Sequence, residues 1–87
     1  MKKITMFYLP SCPYCRAALS WNEELRQEDP RYRDIELELI DEKKNADLAA
    51  TYDYYYVPTY YAGEEKLHEG AATKEKVRAV FEAALAG

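Results

Sequence analysis

The segment Lys3–Leu9 restricts the fold more than any other part of the chain, because its residues form an almost unbroken apolar run. A strand that is apolar on both faces needs cover on both sides, so this segment is predicted to be an inner strand of a sheet. The run is far shorter than the ~18 apolar residues of a membrane-spanning helix, and we expect no membrane partner. Lys2 and Lys3 followed by Ile4–Leu9 give only a faint likeness to a signal peptide, because the apolar run is short and no small-residue cleavage site follows. We expect the fold to start here and the protein to be cytoplasmic.

The rest of the chain predicts an α/β protein with the element order β-α-β-α-β-β-α. Changes of hydrophobic period mark the elements, and proline, aspartate, glycine or threonine marks their ends. The predicted elements are a strand at Lys3–Leu9, a helix at Pro13–Glu28, a strand at Arg33–Ile40, a helix from Asp41 through Tyr52, strands at Thr59–Ala62 and Lys66–Glu69, and a helix after Thr73. Strand, helix and strand in this order imply a right-handed parallel crossover. Because the sequence shows no repeat or linker, residues 1–87 are expected to form a single domain.

The second predicted strand has an alternating pattern. Ile35, Leu37 and Leu39 would share one face, and Glu36 and Glu38 would share the other. Two carboxylates on one face suit an edge strand that must discourage further pairing. We therefore expect this strand at the edge of the sheet.

The hydrophobic core is predicted to be thin. Only 19 of the 87 residues are Val, Ile, Leu, Met, Phe or Trp, so tyrosine and alanine must help to fill it. Two helical stripes have the spacing of buried faces: Ala18, Trp21 and Leu25 in the first helix, and Val77, Val80, Phe81 and Ala84 in the last.

The charge distribution argues against nucleic acid as a partner. Twelve basic and 16 acidic residues give a formal net charge of -4, and no stripe of lysine and arginine is present. Such a stripe is the electrostatic footprint of a nucleic-acid-binding surface.

Both cysteines of the chain lie close together, between the first strand and the first helix. Cys12 is predicted at the helix cap and Pro13 at the first helical position, where its missing N–H costs nothing. Unpaired backbone N–H groups and the positive end of the helix dipole then favour a thiolate at Cys12, with Arg16 adding a charge nearby. A free cysteine with a pKa of ~8.5 is only about 3% ionised at pH 7, and the thiolate is the form that attacks disulfides. Cys15 follows one helical turn later, so we expect Cys12 to attack a substrate disulfide and Cys15 to resolve the mixed disulfide.

Other interpretations of the cysteine pair remain open. Two structural cysteines or half of a zinc site would show the same spacing, but zinc needs four ligands and His68 is the only further soft one. His68 is expected to face solvent on the outer strand of the hairpin, so no metal site is predicted within the chain. An iron–sulfur cluster shared between two chains is a lesser alternative.

The tyrosines are predicted to divide into two groups. Tyr52, Tyr60 and Tyr61 fit half-buried sheet positions. Tyr14 and Tyr56 flank the cysteines and the Val57-Pro58 segment, and they are the better candidates for substrate contact.

A Cys-Pro-Tyr-Cys tetrapeptide between strand and helix, followed later by Val57-Pro58-Thr59, resembles the glutaredoxin branch of the thioredoxin superfamily. The resemblance covers essentially the whole chain in element order. It implies the thioredoxin fold, in which a four-stranded mixed sheet of order 2-1-3-4 has three helices on its two faces. It also implies that Pro58 is a cis-proline facing the cysteines, and that Val57 offers its backbone to an extended substrate.

The sequence departs from the glutaredoxin pattern at two places that usually bind glutathione. Leu9 stands where glutaredoxins usually have a lysine or arginine, and Gly70-Ala71 stands where they have a Gly-Gly pair. The second feature is similar to thioredoxins, which however have a Trp and a buried Asp at the positions of Ser11 and Met6.

The resemblance implies a glutaredoxin-like thiol–disulfide oxidoreductase that acts by dithiol exchange on protein disulfides or glutathione mixed disulfides. No bound cofactor is needed, because the two cysteines store the electron pair. The reductant would be glutathione or, in the alternative, a flavoprotein reductase of the kind that serves thioredoxins. A non-catalytic binding or metal-carrier module with the same fold is the rival from another class. We expect a monomer.

Overall fold

A central sheet of four strands organises the chain, which a computed structural model describes over all residues Met1–Gly87. The elements are β1 (Ile4–Tyr8), α1 (Pro13–Glu28), α2 (Pro30–Arg33), β2 (Leu37–Asp41), α3 (Ala46–Ala49), β3 (Thr59–Ala62), β4 (Glu65–Glu69) and α4 (Lys74–Ala86). The sheet order is β2-β1-β3-β4, with β1 parallel to β2 and both other pairs antiparallel. This confirms the thioredoxin-like fold and strand order, with four helices instead of three. None of the helices is long and apolar enough to pass through a membrane.

Strand β1 is the buried inner strand that its composition predicts. Its side chains alternate between two clusters on opposite faces of the sheet. The larger cluster contains 11 buried residues, among them Ile4 and Met6 together with residues of α1, α2 and α4. The smaller cluster contains Phe7, Ile40 and Tyr61, and residues of α3 and of the loop after it pack against them. Helices therefore cover both faces, unequally.

The first helix ends at Glu28, as Asp29-Pro30 predicts, but a one-turn helix α2 follows at once. Asp29 caps it by accepting a hydrogen bond from the N–H of Arg31 at 2.9 Å. The strand predicted from Arg33 consequently begins only at Leu37. Within α1 the buried positions include Ala18 and Leu25, whereas Trp21 is half-buried and Asn22 takes its place in the core.

Strand β2 lies at the sheet edge as predicted. Leu37, and Ile35 just before the strand, meet the larger cluster on the face that was predicted to be apolar. Ile40 is buried in the smaller cluster, while Leu39 on the other face remains 45% exposed. Glu36 and Glu38 are exposed, and both lie within ion-pair distance of Lys3, at 3.9 and 2.7 Å. The edge carries carboxylates as expected, but these are paired with a neighbouring cation.

The helix predicted from Asp41 through Tyr52 is reduced to the single turn of α3. Asp41 ends β2 and caps a turn instead, because its carboxylate accepts from the N–H groups of Lys43 and Lys44 at 3.0 and 3.3 Å. Tyr52 lies beyond the helix, against Phe7, with 4.6 Å between the two ring centroids.

The C-terminal half matches the sequence pattern closely. The hairpin β3–β4 turns at Gly63, which has a φ of +61°, and β4 begins at Glu65, one residue earlier than predicted. The side chain of Thr73 caps α4 by accepting from the N–H of Lys76 at 3.2 Å. The predicted stripe of α4 is buried in the larger cluster.

Candidate active site

Cys12 is the N-cap residue of α1, and Pro13 occupies the first helical position. The Cys12 N–H donates to the carbonyl of Leu9 at 3.1 Å, and its own carbonyl accepts from the N–H of Arg16 at 3.0 Å. These two bonds fix the turn between β1 and α1, so that the first-turn N–H groups of the helix point toward the position 12 side chain. The placement predicted for both residues is confirmed.

The surroundings of Cys12 favour its thiolate. Partial burial alone would raise the pKa of Cys12, but donors at the start of α1 outweigh that effect and lower it below its usual value. These donors are the N–H groups of Cys15 and Tyr14 and the Cys15 thiol, and the charge of Arg16 assists them. The Arg16 guanidinium is held beside the turn by donating to the carbonyl of Pro10 at 3.3 Å. Hydrogen bonds to an anion of this kind are the usual origin of a reactive cysteine.

Cys15 has the opposite environment. It is fully buried one helical turn behind Cys12, and burial raises the pKa of Cys15 to about 12. The N–H of Leu9 donates to its sulfur at 3.4 Å and opposes the shift, whereas the charges of Cys12 and Glu42 add to it. Both cysteines are free thiols. The site therefore combines a partly exposed cysteine whose ionisation is favoured with a protonated, shielded thiol.

Val57 and Pro58 lie immediately before β3, which begins at Thr59. Phe7 pairs with Thr59 across the sheet, and this register brings the preceding Pro58 alongside the β1 residues that lead to the cysteines. The Val57–Pro58 peptide bond is cis, as the resemblance predicted, and Pro58 is buried. Val57 is half-buried, and neither its N–H nor its C=O makes a hydrogen bond within the chain.

The tyrosines divide as predicted. Tyr60 and Tyr61 are buried in the sheet and Tyr52 is half-buried against it, whereas Tyr14 and Tyr56 are 61% and 70% exposed on the two segments that carry the cysteines and Pro58. Tyr55, which the sequence did not single out, is 86% exposed beside Tyr56.

His68 was predicted to face solvent, and the structure shows that this prediction is wrong. It is half-buried on β4, and its Nε2 lies 2.9 Å from the carbonyl oxygen of Gly70 and 3.2 Å from that of Ala71. It is therefore engaged with the backbone, and no three His, Cys, Asp or Glu side chains converge as a metal-binding group.

Two polar residues at the site have no signal in the local sequence. Glu42 accepts a hydrogen bond from the hydroxyl of Tyr54 at 2.5 Å, and its charge acts on Cys15. Glu69 accepts from the N–H groups of Tyr55 and Tyr56. In each case the partners are more than ten positions apart, a separation that periodicity does not reveal.

A parallel β-α-β unit followed by a hairpin, with a Cys-x-x-Cys turn at the start of α1 and a cis X-Pro bond just before β3, defines a thioredoxin-fold protein with a dithiol site. Comparison with known proteins narrows this class. A thioredoxin from Methanocaldococcus jannaschii is 37% identical over 73 residues, which are 84% of this chain and 84% of that protein. The chain belongs to the thioredoxin family.

Solved structures agree on the fold. A mutant thioredoxin from Halobacterium salinarum superposes with a TM-score of 0.70 at 24% identity, over 94% of this chain and 73% of that one. A malarial protein gives a TM-score of 0.71 at 19% identity, over 94% of both chains. An uncharacterized thioredoxin-like protein from Clostridium perfringens gives 0.60 at 26% identity, over 97% of this chain and 71% of that one. No family model matches the sequence, and membership of the glutaredoxin branch stays a prediction.

Proposed function

We propose that the protein is a thiol–disulfide oxidoreductase that reduces disulfides by dithiol exchange between Cys12 and Cys15. The observation that carries the proposal is the placement of two free cysteines one helical turn apart, one at the open N-cap of α1 and the other fully buried, which shifts their pKa values in opposite directions. A structural pair would need no such asymmetry, whereas exchange needs one thiolate to attack and one thiol held in reserve.

In the first step the Cys12 thiolate attacks one sulfur of the substrate disulfide. A bond forms between Cys12 Sγ and that sulfur, the substrate S–S bond breaks, and the departing thiolate takes a proton from solvent. Cys12 is now uncharged, so the negative charge and the hydrogen-bond acceptor that had raised the pKa of Cys15 are gone. Cys15 then releases its proton more readily.

In the second step the Cys15 thiolate attacks Cys12 Sγ. The mixed disulfide breaks, the second substrate sulfur leaves as a thiol after protonation, and a Cys12–Cys15 disulfide remains. Two electrons have passed from the dithiol to the substrate, so no bound cofactor is required. A reductant must supply two electrons to restore the dithiol.

The substrate-binding part of the proposal uses the exposed surface around Cys12. The unpaired N–H and C=O of Val57 suit an extended peptide that adds to the sheet as a short strand. Tyr14 and Tyr56 offer aromatic surface on either side, while Pro13 and Pro58 fix the two backbone segments that carry these contacts. Proteins with accessible disulfides are the substrates that fit this surface best, and glutathione mixed disulfides are the smaller alternative.

The identity of the reductant distinguishes a glutaredoxin-like protein, which uses glutathione, from a thioredoxin-type protein, which uses a flavoprotein reductase. Leu9 offers no charge for a glutathione carboxylate, and Gly70-Ala71-Ala72 lacks the Gly-Gly pair followed by an acidic or hydroxyl residue that usually binds the γ-glutamyl end. Each missing charge-assisted hydrogen bond forgoes about 1.5–3 kcal/mol. Together with the similarity to a thioredoxin, these positions favour a flavoprotein reductase. The Cys-Pro-Tyr-Cys turn favours the glutaredoxin-like alternative with glutathione. We further propose that the protein acts in the cytoplasm as a monomer.

Insulin reduction with dithiothreitol tests the central proposal. The wild-type protein is expected to accelerate precipitation of the insulin chains, Cys12→Ser to abolish the effect, and Cys15→Ser to reduce it severely. Glutathione-dependent reduction of a glutathione mixed disulfide would survive Cys15→Ser, since that reaction needs only Cys12, and this identifies the glutaredoxin-like alternative. A colourless wild-type protein that neither accelerates insulin reduction nor turns over a mixed disulfide would instead be a binding module, and a coloured one would point to an iron–sulfur cluster.

A further inference from the structure

Glu69, the last residue of β4, holds the backbone of the loop that precedes Pro58. Its Oε2 accepts hydrogen bonds from the N–H of Tyr55 at 2.5 Å and from the N–H of Tyr56 at 2.9 Å. Its Oε1 accepts from the Nζ of Lys66 at 2.7 Å. One carboxylate therefore ties two consecutive loop amides to β4, across 13 and 14 positions of sequence.

Backbone groups directly before and after Val57 are also paired. The carbonyl of Tyr56 accepts from the hydroxyl of Thr59, and the carbonyl of Pro58 accepts from the N–H of Gly70 at 2.8 Å. Tyr56 is thus held at both its N–H and its C=O, and Pro58 at its C=O. Val57 between them keeps both of its polar groups unpaired.

We propose that Glu69 is a positioning residue, which fixes the Tyr55–Pro58 loop so that the free N–H and C=O of Val57 meet an extended segment of a protein disulfide beside Cys12. The inference rests on the proposed function, and it explains how the substrate-binding loop is held in place. Glu69 does not touch the reacting sulfurs, and it acts through the loop.

An ionised carboxylate suits this task, because it accepts several hydrogen bonds at once. The Glu69 side chain is only 21% exposed, and its hydrogen bonds to Lys66, Tyr55 and Tyr56 lower its pKa to about 2. It is therefore ionised at neutral pH. Preorganised backbone groups spare a substrate the cost of ordering the loop when it binds.

Three variants separate positioning from charge and from general stability. Glu69→Ala removes the acceptor of both loop amides. Glu69→Gln keeps one oxygen that accepts from both amides, as Oε2 does, but loses the ionic partner of Lys66. Glu65→Ala is the matched control, because it removes an exposed carboxylate from the same strand that makes no side-chain hydrogen bond or ion pair.

The readouts are the kcat and KM for insulin reduction, the rate with bis(2-hydroxyethyl) disulfide, and the pH profile of Cys12 alkylation. We expect Glu69→Ala to lower kcat/KM for insulin about tenfold, mainly by raising KM. The loop loses the hydrogen bonds that order it, and their loss costs about as much free energy as one charge-assisted hydrogen bond. Glu69→Gln should recover most of this loss, and Glu65→Ala should match the wild type. The small disulfide and the alkylation profile should be unchanged in all three, because neither uses Val57.

An equal loss with insulin and the small disulfide, or an unchanged KM in Glu69→Ala, would overturn the proposal. If Glu69→Ala fails to fold, a second experiment tests the proposal. A substrate peptide is trapped as a mixed disulfide on Cys12 of the Cys15→Ser variant, and amide hydrogen exchange is measured with and without the peptide. Trapping must slow exchange at the Val57 N–H, and an unaltered rate there refutes the role given to this loop. If the wild-type protein reduces no disulfide at all, the proposed function itself has failed, an outcome distinct from equal activity of wild type and Glu69→Ala.

Discussion

At the scale of single residues, Cys12 and Cys15 are only three positions apart, yet their pKa values are shifted in opposite directions. Cys12 sits at the open end of α1, where N–H groups have no helical partner, and Cys15 sits inside the first turn, where water is excluded. The difference is one of location, because the side chains are chemically identical. Each cysteine also shifts the pKa of the other: the Cys15 thiol lowers that of Cys12, and the Cys12 charge adds to burial in raising that of Cys15.

This coupling predicts which of two substitutions should raise the pKa of Cys12 more. Cys15→Ala removes the thiol donor, so the pKa of Cys12 should rise toward its usual value and its alkylation by iodoacetamide at pH 7 should slow. Arg16→Gln removes only the weakest of the named contributions, and it should raise the pKa less. The measurement is alkylation rate against pH, followed by mass spectrometry. A larger shift in Arg16→Gln than in Cys15→Ala would show that charge outweighs local hydrogen bonds at this site.

At the scale of elements, a buried polar contact joins α1 to the sheet behind the cysteines. The hydroxyl of Tyr60 on β3 donates to Oδ1 of Asn22 on α1 at 2.7 Å, and Asn22 Nδ2 donates to the sulfur of Met6 on β1 at 3.2 Å. All three residues are buried, and no buried side-chain N or O atom lacks a partner. The contact fixes the position of the helix that carries both cysteines relative to the two central strands.

Asn22→Ala should therefore be costly. It leaves the buried Tyr60 hydroxyl without its partner and opens a small cavity, so the free energy of unfolding should fall by about 2–3 kcal/mol. Tyr60→Phe should cost less, because the Asn22 amide keeps its contact to Met6. The double variant Asn22→Ala/Tyr60→Phe should be less destabilised than the sum of the single changes, as measured by urea unfolding. Strict additivity would contradict an energetic link between α1 and β3.

The sequence predicts those elements that are determined by interactions between residues near one another in the chain. The stripe of α4, the cap at Thr73, the hairpin around Gly63 and the inner position of β1 all follow from local periodicity and turn chemistry. The cysteine turn was predictable for the same reason, whereas the cis bond before Pro58 followed only from the family resemblance.

The elements that the sequence pattern described wrongly have two kinds of cause, a competing local turn and a distant partner. The helix expected from Asp41 shortens because that side chain caps a turn, and β2 starts late because Tyr32 of α2 is drawn into the core against Phe81, at 5.3 Å between ring centroids. The hold of Glu69 on the loop before Pro58 likewise joins residues on separate elements. No periodicity within one segment contains that information.

At the scale of the whole molecule, one strand belongs to both halves of the core. Consecutive residues of β1 enter opposite clusters: Met6 contributes to the larger one and Phe7 to the smaller one. The smaller cluster has three buried members and a one-turn helix for cover, so it holds little buried apolar surface of its own. It is therefore stable only while β1 remains in the sheet, and the sheet in turn requires the larger cluster.

The three isoleucines of the chain report on this dependence separately. Ile4 and Ile35 lie in the larger cluster and Ile40 lies in the smaller one, so their methyl NMR signals follow the two sides of the sheet through a urea titration. We expect one midpoint for all three, since a single domain of this size usually unfolds in one cooperative transition. Phe7→Ala, which opens a cavity beside β1, should lower the free energy of unfolding by about 3–5 kcal/mol and move the three midpoints together. Loss of the native Ile40 signal at a lower urea concentration than the other two would show instead that the α3 side unfolds independently, and residues 1–87 would then not behave as a single cooperative domain.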